Sequence, residues 1–294
     1  SNADPNPAKI GGFAKAHLYA LLPCSDIICP KPNHISLFQQ REKSMTDIHP
    51  ELFNLSISKK AEPLLSAVKK HFAENVIPWV DEYHELRKNN EDPWSYHPRQ
   101  LELIEQAKQK ARDAGLWNFF LPNSKTGEGL SNLDYAYLAV ELGKTPLASQ
   151  TLNCAAPDTG NMEVLERVGT PEQKEQWLKP LLDGKIRSAY AMTEPDVASS
   201  DATNIQTSAV LDGDEWLING QKYYISGAGD PRCKVLITMV KTSPDAETFR
   251  QQSQILIPLD TPGLEILGPM HVFGDPCAPH GHMHLRFNNV RAVS

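Results

Sequence analysis

The fold of this chain is decided at the stretch Tyr190-Ala-Met-Thr-Glu-Pro-Asp-Val-Ala-Ser-Ser-Asp201. The apolar run over 186–193 has the pattern of a buried strand, and Pro195 breaks the chain just after it. Before this point, from about residue 50 to 184, apolar residues recur at helical spacing. After it, from about 185 to 294, short strand-like segments alternate with turns. Helices followed by strands predict an α+β protein of two domains and exclude a doubly wound sheet.

The two halves contain the following predicted elements. Helices are predicted over 58–89, with a break at Pro78, and over 98–114, 131–142, 158–168 and 170–182. Strands are predicted over 203–211, 215–219, 221–226, 234–241, 254–259 and 282–288. Both Asp212-Gly213-Asp214 and Asn219-Gly220 have the residue types of hairpin turns.

The composition is that of a globular protein in water. The chain has 294 residues, 40% hydrophobic and 22% charged, and a net charge of -7, which gives no reason to expect nucleic acid as a partner. No apolar run has the length of a membrane span. The five cysteines are scattered, which favours free thiols and a cytoplasmic location, or a mitochondrial or peroxisomal one in a eukaryote. Cys24 and Cys29 are interpreted as part of an inert loop.

The N-terminal segment contributes little to the fold prediction. Ser1-Asn2-Ala3 is typical of an expression-tag remnant, and residues 4–44 are rich in Pro and Gly without sustained periodicity. Residues 1–44 are therefore predicted to be poorly structured. Met45-Thr-Asp opens a more regular segment, and we hypothesise that Met45 is the natural start.

Several common catalytic motifs are missing from the sequence. It has no G-x-G-x-x-G after a strand, no Walker loop, no G-x-S-x-G and no H-E-x-x-H. A nicotinamide-binding Rossmann fold therefore has no sequence support.

The stretch 190–201 and the segment 220–229 carry groups that suit a flavin. A flavin needs hydrogen-bond donors at its pyrimidine edge and at its pyrophosphate, and a controlled hydrogen bond at N5. Main-chain N–H groups and the hydroxyl at Met192-Thr193 could supply the donors for the pyrimidine edge, and Ser199 and Ser200 are small enough to let the pyrophosphate approach. Tyr223 and Tyr224 should face opposite sides of a strand, with Ser226 on the side of Tyr224. The alternative is a plain connection between strands, with local side-chain caps.

Five stretches, in the right order, resemble the acyl-CoA dehydrogenase family, closest to the branch of the large multidomain mammalian members. They are 168–184, 190–205, 216–226, 269–274 and 287–291, so the resemblance covers about residues 50–294. It implies an N-terminal all-α domain over 50–184, an antiparallel, β-barrel-like middle domain over 185–294, and the absence of a third, helical domain.

The resemblance also implies an activity and a set of site residues. FAD would be contacted by Tyr190, Ala191, Met192, Thr193, Ser199, Ser200, Tyr224, Ile225 and Ser226. Ser200 would also contact an acyl-CoA substrate, with electrons passing to electron-transferring flavoprotein from a homodimer or homotetramer. The catalytic base is expected beyond Ser294, so this chain alone is expected to be inactive. The stretch departs from the family pattern by one extra residue, by the lack of a Gly-Ser pair, and by Tyr224 in place of Trp.

The sequence is also compatible with two other functions. The fold is shared with acyl-CoA oxidases and nitroalkane oxidases, which use a different acceptor or substrate. A non-catalytic flavin- or acyl-CoA-binding protein derived from a dehydrogenase is the other alternative.

Other reactive side chains receive structural interpretations. Glu194 is expected to fix its loop and not to act as a base, since nothing places it at a substrate carbon. Glu141 and Asp158 are expected on a helix surface or at a cap. His280, His282 and His284 alternate on a predicted strand and so face one way, but no Cys or carboxylate joins them at ligand spacing, so no metal site is predicted.

Overall fold

The computed structural model describes residues 54–123 and 125–293. The predictions for residues 1–44, for Cys24 and Cys29 and for a start at Met45 lie outside the described residues. Within the described ranges, no helix is long and apolar enough to cross a membrane.

The described residues up to Leu182 form helices joined by loops. The helices are α1 (Glu62–Asn75), α2 (Val80–Lys88), α3 (Pro98–Asp113), α4 (Asn132–Leu142), α5 (Pro146–Thr151), α6 (Asp158–Val168), α7 (Pro171–Gln173) and α8 (Lys179–Leu182). A 3-10 turn, Ile77–Trp79, contains Pro78 and separates α1 from α2, because proline cannot donate the helical hydrogen bond. Thr170 caps α7 as predicted, with Gln173 completing a capping box. The short helix α5 was not predicted.

Residues from Arg187 onward form one seven-stranded sheet. The strands are β1 (Arg187–Ala191), β2 (Ser208–Asp212), β3 (Glu215–Ser226), β4 (Cys233–Lys241), β5 (Gln252–Pro258), β6 (Leu264–Pro269) and β7 (His282–Val293). Their order is β1-β4-β2-β3-β7-β6, with β5 paired to β4. The predicted fold, helices and then a curled, barrel-like sheet, is confirmed. The sheet is mixed and not wholly antiparallel, because β1 runs parallel to β4.

Two predictions inside the sheet were wrong. Asn219-Gly220 does not form a turn, because β3 continues through both residues, with a register irregularity against β7 between Ile218 and Gly220. A Cβ at Gly220 would lie 2.5 Å from Thr207 Oγ1, so glycine is required there by close packing against Thr207 and not by a turn. The predicted strand 203–211 begins only at Ser208, since Ala202–Asn204 form a 3-10 turn.

The core has two parts that touch each other. One part is built from the helices, around residues such as Phe119, Ile104 and Leu138, and the other fills the inside of the sheet. Leu256 of β5 packs against the helical core, and Trp94 from the helical half packs against the core of the sheet. The helical half and the sheet therefore pack directly on each other.

Candidate cofactor site

The end of β1 and the end of β3 lie together although they are not neighbours in the sheet. The Tyr223 N–H donates to the Thr193 main-chain oxygen at 2.9 Å. The Lys222 ammonium group donates to the Met192 main-chain oxygen at 2.9 Å and to Glu194 Oε1 at 2.8 Å. The curl of the sheet thus brings together the two sequence segments that were predicted to form one site.

Glu194 fixes the loop that follows β1. Its carboxylate accepts hydrogen bonds from the main-chain N–H groups of Gln206 at 2.7 Å and Thr207 at 2.9 Å, in addition to Lys222. Burial raises the pKa of Glu194, but these bonds outweigh it and lower the pKa below its usual value. Burial lowers the pKa of Lys222 despite the pairing. An ionised carboxylate with all these partners holds the 194–207 loop closed, which agrees with the structural interpretation.

The two serines of the loop have different surroundings. Ser199 is buried, and its hydroxyl accepts from the Glu194 N–H at 2.7 Å and lies 3.3 Å from the Glu194 main-chain oxygen. Ser200 and Thr193 are exposed. The Ser199 hydroxyl therefore closes the loop, while Ser200 and Thr193 are open to a ligand.

Tyr224 has a backbone conformation that is rare for a residue with a side chain. Its φ is 56°, and the β3–β7 register is irregular between Lys222 and Ile225. This break in the strand alternation brings the Tyr223 and Tyr224 rings into edge contact, 5.0 Å between centroids. The prediction that the two rings face opposite sides was therefore wrong. Tyr224 keeps 43% of its surface exposed at the mouth of the site.

Three other predicted contact residues have side chains already occupied within the protein. Ala191 and Ile225 are buried in the core of the sheet. The Tyr190 hydroxyl, on a partly buried side chain, accepts from Gln254 Nε2 at 2.8 Å. Any contact of Ala191 or Ile225 with a cofactor would therefore go through their main-chain groups.

The Ser226 hydroxyl is hydrogen-bonded to a histidine, a pairing that the sequence did not indicate. Its hydroxyl lies 2.8 Å from His282 Nδ1 on β7. His284 instead bonds Gln221 at 2.8 Å, and His280 lies ahead of β7, which begins at His282. The prediction that the three histidines form one row on a strand was therefore wrong.

The interpretation of Asp158 as a helix-surface or capping residue was wrong. Asp158 is buried and accepts 2.7 Å hydrogen bonds from both the N–H and the hydroxyl of Ser188, and it forms an ion pair with Arg187. It therefore ties the start of α6 to β1. The same interpretation was wrong for Glu141, which is buried on α4 and pairs with Lys69 and Lys144.

A polar cluster that the sequence did not predict joins the two halves next to the site. Asp230 accepts from the Tyr96 hydroxyl at 2.8 Å and forms a bidentate pair with Arg232, whose guanidinium stacks 4.5 Å from the Tyr96 ring centroid. Burial opposes ionisation of Asp230, but Arg232 outweighs it and lowers the pKa of Asp230 to about 2. Only proximity in the fold reveals this cluster, because Tyr96 and Asp230 are 134 positions apart.

The exposed groups fit a flavin by their chemistry. Thr193 and Ser200 present hydroxyls, and Tyr224 presents an aromatic ring. The loop and the strand end that carry them are held in place by the buried Glu194–Lys222 pair. Among the described residues, the Met192 and Thr193 N–H groups donate no hydrogen bond outside the strand ladders. Free N–H donors, hydroxyls and an open ring are the groups a flavin ring system requires.

Comparison with known proteins gives the family. The chain matches the acyl-CoA dehydrogenase N-terminal domain over residues 58–185 and the acyl-CoA dehydrogenase middle domain over residues 189–290. It is 47% identical over 239 residues to acyl-CoA dehydrogenase family member 11 of Gallus gallus, covering 80% of this chain and 30% of that protein. It is 55% identical over 190 residues to the probable acyl-CoA dehydrogenase FadE2 of Mycobacterium tuberculosis, covering 64% of this chain and 46% of that protein.

A solved structure agrees with both matches. A proposed acyl-CoA dehydrogenase from Mycobacterium abscessus is 44% identical, with a TM-score of 0.75, covering 81% of this chain and 60% of that one. The helical half matches the N-terminal domain of acyl-CoA dehydrogenases, and the curled sheet matches their middle domain. The chain belongs to the acyl-CoA dehydrogenase family. It spans less than half of the length of the two curated relatives named above.

Proposed function

We propose that this chain forms the flavin-binding part of an FAD-dependent acyl-CoA dehydrogenase, which carries out α,β-dehydrogenation of an acyl-CoA thioester. The observation that carries the proposal is the exposed Tyr224 ring, at positive φ, beside Thr193 on a loop fixed by Glu194 and Lys222. Strained backbone of this kind is typical of ligand sites. Members of the family use FAD.

The residues of this chain would divide the binding between them. Bound FAD would supply a two-electron acceptor for the hydride from the substrate β-carbon. The N–H groups and hydroxyl at Met192-Thr193 would bond the pyrimidine edge, and Tyr224 would cover the ring with Ser226 near N5. Of the loop serines, Ser200 is the one whose exposure supports contact with FAD phosphate and with the thioester ligand, while Ser199 supports the loop.

The remaining parts of the reaction are proposed from the family resemblance. Glu194 is committed to Lys222 and to two main-chain amides, which supports a catalytic base located beyond Ser294. We propose a helical domain over 50–184, a β domain over 185–294, and a third, helical domain needed for activity. The whole enzyme would be a homodimer or homotetramer that passes its electrons to electron-transferring flavoprotein.

Titration of the purified chain with FAD tests the binding part of the proposal. We expect flavin fluorescence to be quenched on weak binding, and Y224A and T193A each to weaken binding at least about tenfold, or about 1.4 kcal/mol. F249A, which removes an exposed ring in the 3-10 turn Thr248–Arg250, is the matched control and should bind like the wild type. Equal binding by Y224A, T193A and wild type would overturn the assignment of the site.

Turnover tests the catalytic part separately. With FAD bound, the 294-residue chain should show negligible acyl-CoA oxidation with an artificial acceptor, because the proposed base lies beyond Ser294. Measurable turnover by this chain would refute a base beyond Ser294. In a longer protein that includes the following segment, reduction of electron-transferring flavoprotein without oxygen consumption supports a dehydrogenase, and oxygen consumption supports an oxidase.

A further inference from the structure

The loop before β7 brings a cysteine and two histidines together. Ligand atoms of Cys277, His280 and His282 all lie within 4.8 Å of one another. His284, which the sequence pattern groups with the other histidines, is instead bonded to Gln221 on β3. The cluster therefore has the spacing C-x-x-H-x-H, and its thiol belongs to a residue that the strand pattern did not include.

The backbone of this loop is held by hydrogen bonds on both sides. The Gly281 N–H donates to the Cys277 oxygen at 2.9 Å, which closes the loop on itself. The Gly229 N–H donates to the His280 oxygen at 2.9 Å, and the Gly227 N–H donates to the Gly281 oxygen at 2.9 Å. These bonds fix the loop to the turn that follows β3, so its three ligand side chains start from an ordered backbone and not from a freely moving one.

Cys277 is the thiol in the described ranges that is open to a ligand. Cys154 and Cys233 are buried, and burial raises the pKa of both thiols, that of Cys233 to about 12. Cys277 is partly exposed and follows Asp275, whose carboxylate accepts from the Cys277 N–H at 2.6 Å. The position of Cys277 is thus set by its own main chain, with the sulfur accessible.

We propose that Cys277, His280 and His282 form a binding site for Zn²⁺ with one position left open. Thiolate and imidazole are the ligands that zinc prefers, and three protein ligands with an open fourth position are typical of accessible zinc sites. With metal–ligand bond lengths of about 2.0–2.3 Å, the ligand atoms of a tetrahedral site lie about 3.5 Å apart. Side-chain rotations that move the ligand atoms by about 1 Å would therefore bring all three into bonding distance of one ion.

His282 already has the outer hydrogen bond that metal-binding histidines usually have. Ser226 Oγ occupies one ring nitrogen, at 2.8 Å, which orients the imidazole and leaves the other nitrogen for the ion. A bound ion would join the loop to the end of β3 through this pair. The zinc site is thus a neighbour of the proposed flavin site, although its ligands are different residues and it does not depend on flavin binding.

Cobalt provides a direct spectroscopic test, because Co²⁺ occupies zinc sites and is coloured. The chain is purified, stripped with a chelator and titrated with Co²⁺ alone, in a C24S/C29S background that removes the N-terminal thiols. We expect one equivalent to produce a thiolate-to-cobalt charge-transfer band and the visible bands of a tetrahedral ion, and one equivalent of Zn²⁺ to abolish them.

Three variants decide the assignment. C277S should lose the charge-transfer band, and H280Q should weaken Co²⁺ binding by more than about 100-fold, beyond the range for an outer partner. H284Q is the matched control and should titrate like the parent. Near-ultraviolet circular dichroism checks that each variant is folded. No charge-transfer band in the parent, or a band that survives in C277S, would overturn the proposal, as would equal binding by H280Q and H284Q.

Discussion

The buried ammonium group of Lys222 lies 2.8 Å from Glu194 Oε1 and 2.9 Å from the Met192 main-chain oxygen. Both side chains are almost fully removed from water, with 0% and 5% of their surfaces exposed. K222M would leave the Glu194 carboxylate buried without its cation. Removing one partner of a buried pair costs about 3–5 kcal/mol, so we expect the free energy of unfolding, measured in urea, to fall by that amount.

The double variant K222M/E194Q is the control for this prediction. It removes both charges and should be more stable than K222M alone, because no unpaired charge remains buried. If K222M unfolds at the wild-type urea concentration, the pair does not stabilise the loop.

Tyr224 offers a substitution with opposite effects on stability and binding. Glycine adopts a φ of 56° without the cost of about 1–2 kcal/mol that a side chain incurs there. We therefore expect Y224G to keep the stability of the wild type or to gain up to about 1 kcal/mol, while its affinity for FAD falls. Thermal unfolding and flavin fluorescence measure the two effects. Loss of stability in Y224G would mean that the ring packs within the protein and is not held open for a ligand.

Asp230 predicts a defined acid dependence of stability. Its pKa is lowered to about 2 from a usual value of 3.8, so its ionised form stabilises the folded state above pH 3.8. That contribution, about 2 kcal/mol, should be lost as the pH falls from about 4 to about 2. Urea unfolding at several pH values should show this loss in the wild type.

D230N provides the comparison for the acid dependence. It lacks the titrating group, so its stability should be lower at pH 6 and should fall less between pH 4 and pH 2. Parallel pH profiles for D230N and wild type would show that other carboxylates cause the acid dependence.

Two glycines should respond in opposite directions to alanine. A Cβ at Gly220 would lie 2.8 Å from the Thr207 Cα, and the φ of 151° is strained for other residues, so G220A should lose about 1–3 kcal/mol. Gly160 lies in α6 with nothing within 4 Å of its added Cβ, so G160A should gain about 0.5–1 kcal/mol. Calorimetric melting temperatures should therefore move apart, and equal shifts would contradict the packing argument.

The sequence predicts the helical half and most strands because their periodicity is local. Proline and threonine at the start of α7 and proline after α1 mark boundaries with a physical cause within a few residues. The prediction fails where distant backbone contacts decide the outcome. Gly220 has the residue type of a turn, but the neighbouring Thr207 makes it a close-packing position in a continuous strand.

The candidate site likewise has parts that local sequence indicates and parts that depend on distant contacts. Thr193, Ser200 and Tyr224 can be selected as candidate contacts because their residue types and local spacing resemble the family pattern. For Lys222 the sequence offers one indication. Strand alternation places it on the same inward face as Ile218 and Gly220, where a lysine is unusual. The partners of Glu194, and the hydrogen bond between Ser226 and His282, depend on the curl of the sheet, which no single segment encodes.

The contact between Tyr96 and Asp230 also bears on how the chain is made. During synthesis the helical half leaves the ribosome well before Asp230 and Arg232, which complete the cluster 134 positions later. Until then Tyr96 lacks its anionic partner, and the face that later packs on β5 through Leu256 is open. We therefore expect the helices to reach their final packing only after β4 and β5 have emerged.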